Sequence, residues 1–220
     1  MIWREDDKIY ISGHGTATVA ARTIWPGNSI IPNSENLIIY TVSSTSANDT
    51  LLGTGAQIVE VIYLNGLLER KELTLELNGQ TGVEIEALHI EQLSLMSVGT
   101  GGTNAGVIHI GTGTVTSGVP AVKYDQIPVG EGVSHAVRYT VPTAMKFTIE
   151  EIKVSTDSAV SDVTLQLCKN MGDVTYVIAH MLEGKISYVY KSGDTMTLRH
   201  LNASVSGEVY VVVTGKLEMI

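Results

Sequence analysis

The sequence predicts an all-β protein, a jelly-roll-like antiparallel β-sandwich that carries an extended N-terminal arm. From Leu37 onward, short strand patterns recur at the spacing of about 8–12 residues that is typical of sandwiches. Two glycine-rich blocks, 53–56 and 99–106, each end one strand and begin another, and neither opens a helix. No convincing amphipathic helix longer than two turns occurs. Together these observations favour a fold made of strands.

Residues 1–35 form the predicted arm, because proline and glycine interrupt them too often for a helix or a central strand. One edge strand is predicted within the arm at 8–11. The segment either wraps around a neighbouring subunit or lies on its own domain as an ordered leader. The sequence supports both interpretations equally.

The β-sandwich is predicted to span 36–220, and its first strands alternate between apolar and acidic residues. Such alternation predicts one buried and one solvated face. The apolar positions are Leu73, Leu75, Leu77, Val83, Ile85 and Ala87, and the acidic ones are Glu72, Glu76, Glu84 and Glu86. Asn65-Gly66 and Asn78-Gly79 stand at strand ends and predict hairpin turns. Further strands are predicted near 56–63, 88–98 and 106–110.

A second β-rich half follows an irregular stretch, 111–132, which is interpreted as a linker or a long surface loop. Its strands are predicted near 135–140, 146–155, 162–168, 174–180, 186–190, 195–200 and 207–217. The last strand is apolar on both faces, so its own sandwich or a partner subunit is expected to cover both. The chain is therefore one continuous roll or two halves, 36–118 and 133–220, joined by the long loop.

Composition excludes several classes of protein. The net charge of −9 and the acidic pI near 5.1 argue against a nucleic-acid partner. The single cysteine, Cys168, cannot form a disulfide within the chain and is interpreted as a buried apolar side chain. The first residues lack the pattern of a signal peptide, and no apolar run reaches the roughly 20 residues that span a bilayer. We therefore expect synthesis in the cytoplasm and no membrane partner.

A search for reactive side chains identifies no catalytic, cofactor-binding or metal-binding residue. His89, His109 and Glu91 could approach one another across strands as metal ligands, but polar residues on strand faces explain them better. Ser12 beside His14, and Ser134 beside His135, lack the strained turn of a nucleophile.

The remaining candidate motifs also have structural explanations. The acidic residues at 72, 76, 84 and 86 are expected to be a solvated face, not the paired acids of a glycosidase. Asp157 and Asp162 lack the spacing of a calcium loop, and the Asn-x-Thr/Ser patterns at 48–50 and 202–204 need a secretory route. Block 99–106 is followed by neither a Lys-Ser/Thr pair nor a helix, so it is not a phosphate loop. We expect no enzyme activity, cofactor or metal.

An ordered set of motifs between about 45 and 145 resembles a known family. These motifs are Ser46-Ala47-Asn48-Asp49-Thr50, Gly53-Thr54-Gly55-Ala56, Leu77-Asn78-Gly79, the block 99–106, and Tyr139-Thr140-Val141-Pro142. In order and spacing they resemble poorly characterised virion proteins of tailed bacteriophages and prophages. The chain departs from that pattern at Gln57, where arginine is common, and at 143–146, which follows the proline with Thr-Ala-Met-Lys.

The resemblance implies a virion structural protein made in the cytoplasm of a bacterial host. The role that the resemblance implies is that of a capsid decoration, or cement, protein that bridges subunits of the major capsid protein. A homo-oligomer, a trimer or a dimer, is expected. The alternative is a tail or fibre component that binds host-surface glycan, with Trp3, Trp25 or tyrosines stacking on sugar rings. A third class, a polysaccharide-cleaving enzyme, would need an acid pair facing a cleft.

Overall fold

The computed structural model describes residues 2–5, 8–17, 22–23, 36–67, 69–134, 138–156, 165–171, 174–181, 184–200 and 207–220. Within these residues the regular structure consists of strands, every pairing is antiparallel and no helix occurs. No helix of the described part is therefore long and apolar enough to cross a membrane. The predicted all-β class is confirmed.

The strands in chain order are β1 (Ile2–Glu5), β2 (Lys8–Ala17), β3 (Arg22–Thr23), β4 (Ile38–Ser44), β5 (Ala56–Leu64), β6 (Arg70–Glu76), β7 (Val83–Ala87), β8 (His89–Val98), β9 (Ile108–Thr116), β10 (Val119–Ile127), β11 (Arg138–Thr140), β12 (Met145–Thr156), β13 (Leu165–Met171), β14 (Val174–Met181), β15 (Gly184–Lys191), β16 (Thr195–His200) and β17 (Gly207–Met219). They form four sheets within two compact units. We call Gly27–Ser134 the central unit, and Met1–Pro26 together with His135–Ile220 the discontinuous unit.

The central unit contains a four-stranded sheet, β10-β9-β4-β7, and a three-stranded sheet, β6-β5-β8. Inward-facing side chains of both sheets form one hydrophobic core. The members of this core include Tyr40, Tyr124, Leu77, Ile85, Ile90, Leu93, Ile108, Ile110 and Ile127. The edge-to-face contact of Tyr40 with Tyr124, at 5.7 Å between ring centroids, packs the four-stranded sheet internally.

The discontinuous unit contains the sheets β1-β2-β17-β12-β15 and β11-β16-β13-β14, with β3 paired to β16. Tyr139 of the second sheet packs edge-to-face on Phe147 of the first, with ring centroids 5.3 Å apart. The Tyr190 hydroxyl donates to the Cys168 carbonyl at 3.0 Å, which links β15 to β13. The chain segments before and after the central unit thus complete one fold.

Most predicted strands occur close to their predicted bounds. The alternation over 72–77 is confirmed, because Leu77 is buried, Leu73 and Leu75 pack on the core, and the glutamates are exposed. Asn65-Gly66 lies in the turn of the β5–β6 hairpin, as predicted. Asn78-Gly79 instead connects β6 to β7, which lie in different sheets and do not pair. An Asn-Gly turn reverses the chain, but it does not require its two strands to pair.

The stretch 111–132 is more regular than the sequence predicts. Most of it belongs to the β9–β10 hairpin, whose ladder has register shifts between Pro120 and Val122 and between Lys123 and Asp125. Glycine and proline here mark bulges and a turn, and Gly118 has φ +78° at that turn.

At the N-terminus, β2 lies between β1 and β17 and is much longer than the predicted edge strand at 8–11. The predictions for 24–35, including Trp25, fall outside the described residues. On β17, Val209, Val211 and Val213 are buried, whereas Tyr210 is 48% exposed on the opposite face. Among the residues that the structure describes, that strand is therefore fully covered on one face only.

Candidate functional site

Four chain connections of the central unit meet at one end of its sheets. They are 45–55 between β4 and β5, 77–82 between β6 and β7, 99–107 between β8 and β9, and 128–132 after β10. Backbone hydrogen bonds join the first three, including Gly79 N to Asp49 O at 2.7 Å and Gly99 N to Gly55 O at 2.7 Å. We call these four segments the loop cluster.

Asp49 is the central residue of the loop cluster, and it is fully buried. Its Oδ1 accepts hydrogen bonds from Ala56 N at 2.6 Å and Ala105 N at 2.7 Å. Its Oδ2 accepts from Gly106 N at 2.8 Å and from the Ser44 hydroxyl at 2.5 Å. Bonds of this kind to a carboxylate are strong, and they compensate the loss of water around it. One side chain thus ties both glycine-rich blocks to the end of β4.

Glycine is required where these segments approach each other most closely. A Cβ atom on Gly55 would lie 2.0 Å from Asp49 Oδ1, and one on Gly99 would lie 2.2 Å from the Gly53 carbonyl oxygen. Such distances are far below van der Waals contact. The two glycine-rich blocks are therefore built for contact with each other and with Asp49.

Asn104 joins the remaining loop to the cluster, and it is also fully buried. Its amide donates to the carbonyls of Gly106 at 2.8 Å and Pro128 at 2.9 Å. Its Oδ1 accepts from Gly130 N at 3.0 Å and from the Thr103 hydroxyl at 3.0 Å. The side chain thus uses both its donor and its acceptor atoms to hold 99–107 against 128–132.

The surface of the loop cluster mixes uncharged polar residues with a few exposed aliphatic ones and is almost free of charge. Segments 45–55, 77–82 and 99–107 contain one ionisable side chain, the buried Asp49, and 128–132 adds the partly buried Glu131. Three large aliphatic side chains are exposed on it: Leu51 at 39%, Leu52 at 94% and Val129 at 54%. A surface of this composition is suited to burying apolar area against a partner.

The structure places His89 and His109, which the sequence suggests as neighbouring metal ligands, in different sheets. His89 and Glu91 lie on β8 of the three-stranded sheet, whereas His109 lies on β9 of the four-stranded sheet. Arg70 Nε lies 3.6 Å from Glu91 Oε2 and supplies a positive charge beside that buried carboxylate. Burial, and secondarily the nearby positive charge of Lys123, lower the pKa of His109 to about 4. Among the described residues, no group of three or more His, Cys, Asp or Glu side chains could hold a metal ion.

The other candidate side chains that the structure describes are exposed to solvent, hydrogen-bonded to the backbone or buried. Glu72, Glu76, Glu84 and Glu86 are exposed and divided between β6 and β7, which belong to different sheets. The Ser134 hydroxyl accepts a hydrogen bond from Leu93 N at 3.0 Å, and Cys168 is buried. Asp157, Asp162, His135 and 202–204 lie outside the described residues, as does the side chain of His14.

Asp49 is the residue whose role the sequence reasoning missed. In the sequence it belongs to the motif 46–50 and to an Asn-x-Thr pattern, and it is the single acid in an otherwise uncharged stretch between two strands. An isolated acid close to glycine-rich turns is a signal for a carboxylate that binds backbone N–H groups.

In comparisons with known proteins, no family model, curated protein or solved structure matches this chain.

Proposed function

We propose that this chain is a non-enzymatic structural protein of a tailed-phage virion, and that it decorates the head by bridging subunits of the major capsid protein. The observation that carries this proposal is the convergence of three motifs on Asp49. Motif 46–50 contains Asp49, and blocks 53–56 and 99–106 supply the three backbone N–H groups that bind its carboxylate.

This convergence supports the resemblance for a physical reason. Ser-x-x-Asp-Thr, Gly-Thr-Gly-Ala and Gly-Thr-Asn-Ala-Gly are weak patterns when each is taken alone. Because Asp49, Gly55 and Gly106 depend on one another for hydrogen bonds and space, the patterns constitute a single structural element. A chain that shares the ordered set is therefore expected to share the element.

The architecture of the loop cluster suits a protein that works within an assembly. Its hydrogen bonds hold the exposed leucines in place, so less conformational entropy is lost when they are covered. A decoration protein binds the assembled shell in preference to free subunits and thereby stabilises the shell by mass action. Such a role requires extended surface, and it needs neither a cofactor nor a reactive side chain.

We also propose a sandwich as the finer architecture of the central unit. Its two antiparallel sheets bury their inner faces in one hydrophobic core. The proposal includes the jelly-roll connection of the strands that the sequence predicts, and an experimental structure of the chain would test it.

The function is tested on particles of the phage that encodes the chain. Cryo-electron microscopy is expected to place the chain on the outer head surface, in contact with the major capsid protein. Heads that lack it are expected to release their DNA at lower temperature than complete heads. Deleted particles that resist heat and pressure as well as complete ones would overturn the proposal. Density on the tail, with binding on a glycan array, would instead support the fibre alternative.

A further inference from the structure

We propose that the loop cluster is the surface through which two copies of this chain associate, in a contact centred on Leu51 and Leu52. This inference relies on the proposed function only in treating the protein as an assembly component. It names the part of the molecule that meets another copy.

The first argument is the position of the leucines. Gly53 N donates to Thr50 O at 2.7 Å, which closes a turn with Leu51 and Leu52 at its centre. Such positions favour glycine, proline, asparagine, aspartate and serine, because these residues adopt turn conformations and remain hydrated. Leu52 is 94% exposed and contributes little to the core. An apolar pair at this position is explained by a surface that covers it.

The second argument is rigidity. The turn lies between Asp49, which accepts four hydrogen bonds, and Gly53, whose carbonyl is in close contact with Gly99. Val129, on another segment of the loop cluster, follows Pro128, whose carbonyl accepts a hydrogen bond from Asn104. Apolar side chains presented by a fixed backbone are effective anchors of an interface.

The third argument is charge, and it selects a second copy as the partner. The chain carries a net charge of −9, so a symmetric contact through most of its surface would place like charges opposite each other. The loop cluster carries no exposed charge within 45–55, 77–82 and 99–107, and its remaining segment, 128–132, adds only the partly buried Glu131. Two copies can therefore meet there with little direct repulsion. A partner of opposite charge would find at most the partly buried Glu131 as an ion-pair partner on the same surface.

Two other surfaces with exposed apolar side chains are weaker candidates. Leu67 is 78% exposed, but it lies beside Glu69 and Lys71 in the turn at the opposite end of β5. Tyr210 and Val189 lie on a sheet face that also presents the charged pair Lys153 and Glu151. Neither surface combines exposed aliphatic side chains with an absence of charge. Leu67 therefore provides a control within the same unit.

The experiment is sedimentation velocity on the purified full-length chain across about 1–100 μM, the range in which a modest interface dissociates. The wild-type protein is expected to change from monomer to dimer. Leu52→Ala is expected to weaken the dimer about tenfold to a hundredfold, and Leu52→Asp is expected to abolish it. Leu67→Asp should leave the dimer unchanged. Circular dichroism checks folding, which substitution of an exposed turn residue leaves intact.

Salt dependence supplies a second readout. Raising NaCl from about 0.05 M to 0.5 M should strengthen an uncharged contact, because screening reduces the general repulsion between two acidic chains. A monomeric wild-type protein, or equal loss of the dimer in Leu52→Asp and Leu67→Asp, would overturn the inference. If a monomeric chain still binds phage heads, the proposed function survives and the self-association is wrong. If the dimer forms but heads are not bound, the reverse holds.

Discussion

Asp49 in the central unit and Asp194 in the discontinuous unit are both buried carboxylates in connections between strands, but different groups bind them. Asp49 accepts three backbone N–H groups and one hydroxyl. Asp194 accepts one backbone N–H, from Lys191 at 2.7 Å, and lies 2.6 Å from the ammonium group of Lys169. A buried negative charge is thus stabilised by oriented dipoles in one unit and by an opposite charge in the other.

The two ways of stabilising a buried carboxylate place different constraints on the surrounding chain. Dipole stabilisation needs several backbone segments at fixed positions, so Asp49 organises a cluster of loops. An ion pair needs only one partner side chain, so Lys169 and Asp194 stabilise a single turn against β13. The first arrangement leaves the surrounding surface uncharged, and the second places both signs close together. We expect the loss of Asp49 to have the wider consequences.

The largest expected effect belongs to Asp49→Ala. It leaves the N–H groups of Ala56, Ala105 and Gly106 without their acceptor, which costs about 4 kcal/mol of unfolding free energy or more. Urea denaturation and hydrogen exchange should show the loss in the central unit. Glu84→Ala, which removes an exposed acid from the same unit, should change stability by about 0.5 kcal/mol at most. A loss below about 1 kcal/mol in Asp49→Ala would contradict the assigned role.

Gly55→Ala tests the same element by steric conflict instead of lost hydrogen bonds. The added methyl group would lie 2.0 Å from Asp49 Oδ1, so the carboxylate or the backbone must move. We expect a loss of about 3 kcal/mol, in the range of overpacking with strain. Gly132→Ala adds the same atom where nothing lies within 4 Å, and it should be close to neutral. Thermal unfolding of the two variants side by side distinguishes crowding from a general effect of losing glycine.

Lys169→Met breaks the ion pair of the discontinuous unit while retaining the length of the side chain. Asp194 then keeps its backbone partner but loses its counter-charge, and we expect a loss of about 2 kcal/mol. Hydrogen exchange should accelerate around β13 and β16 and stay unchanged in the loop cluster. Lys153→Met removes an exposed lysine paired with Glu151 and should have little effect. If Lys169→Met and Lys153→Met lose the same unfolding free energy, the burial of the Lys169–Asp194 pair does not set the strength of its contribution.

The smallest effect concerns pH and His109. Its folded-state pKa of about 4 lies below the ordinary value of 6.5, so the folded ring remains neutral while the unfolded chain takes up a proton. The stability it contributes is complete above pH 6.5 and is lost as pH falls toward 4. After allowance for solvent screening, the loss is about 1–2 kcal/mol. Urea denaturation at several pH values should show a shallower decline in His109→Gln than in the wild-type protein. Identical slopes would contradict this assignment.

The parts of the fold that sequence predicted well depend on local patterns. Leu73 and Leu75 alternate with glutamates, so the face that packs on the core is set by the pleat of one strand. Asn65 forms its turn through hydrogen bonds to Leu67 and Glu69, all within one short connection. The sequence could not indicate that the strands flanking Asn78 pair elsewhere, because pairing partners depend on the whole topology.

The sequence by itself determined the all-β class, the approximate bounds of most strands and the absence of a phosphate-loop signature in the glycine-rich blocks. Only the tertiary structure decided what those blocks are for. Asp49 and Ala105 are separated by 56 residues along the chain, yet one hydrogen bond of 2.7 Å joins them. Alternation and turn composition are properties of neighbouring residues, whereas the convergence of N–H groups on a buried carboxylate arises only when distant strands are brought together.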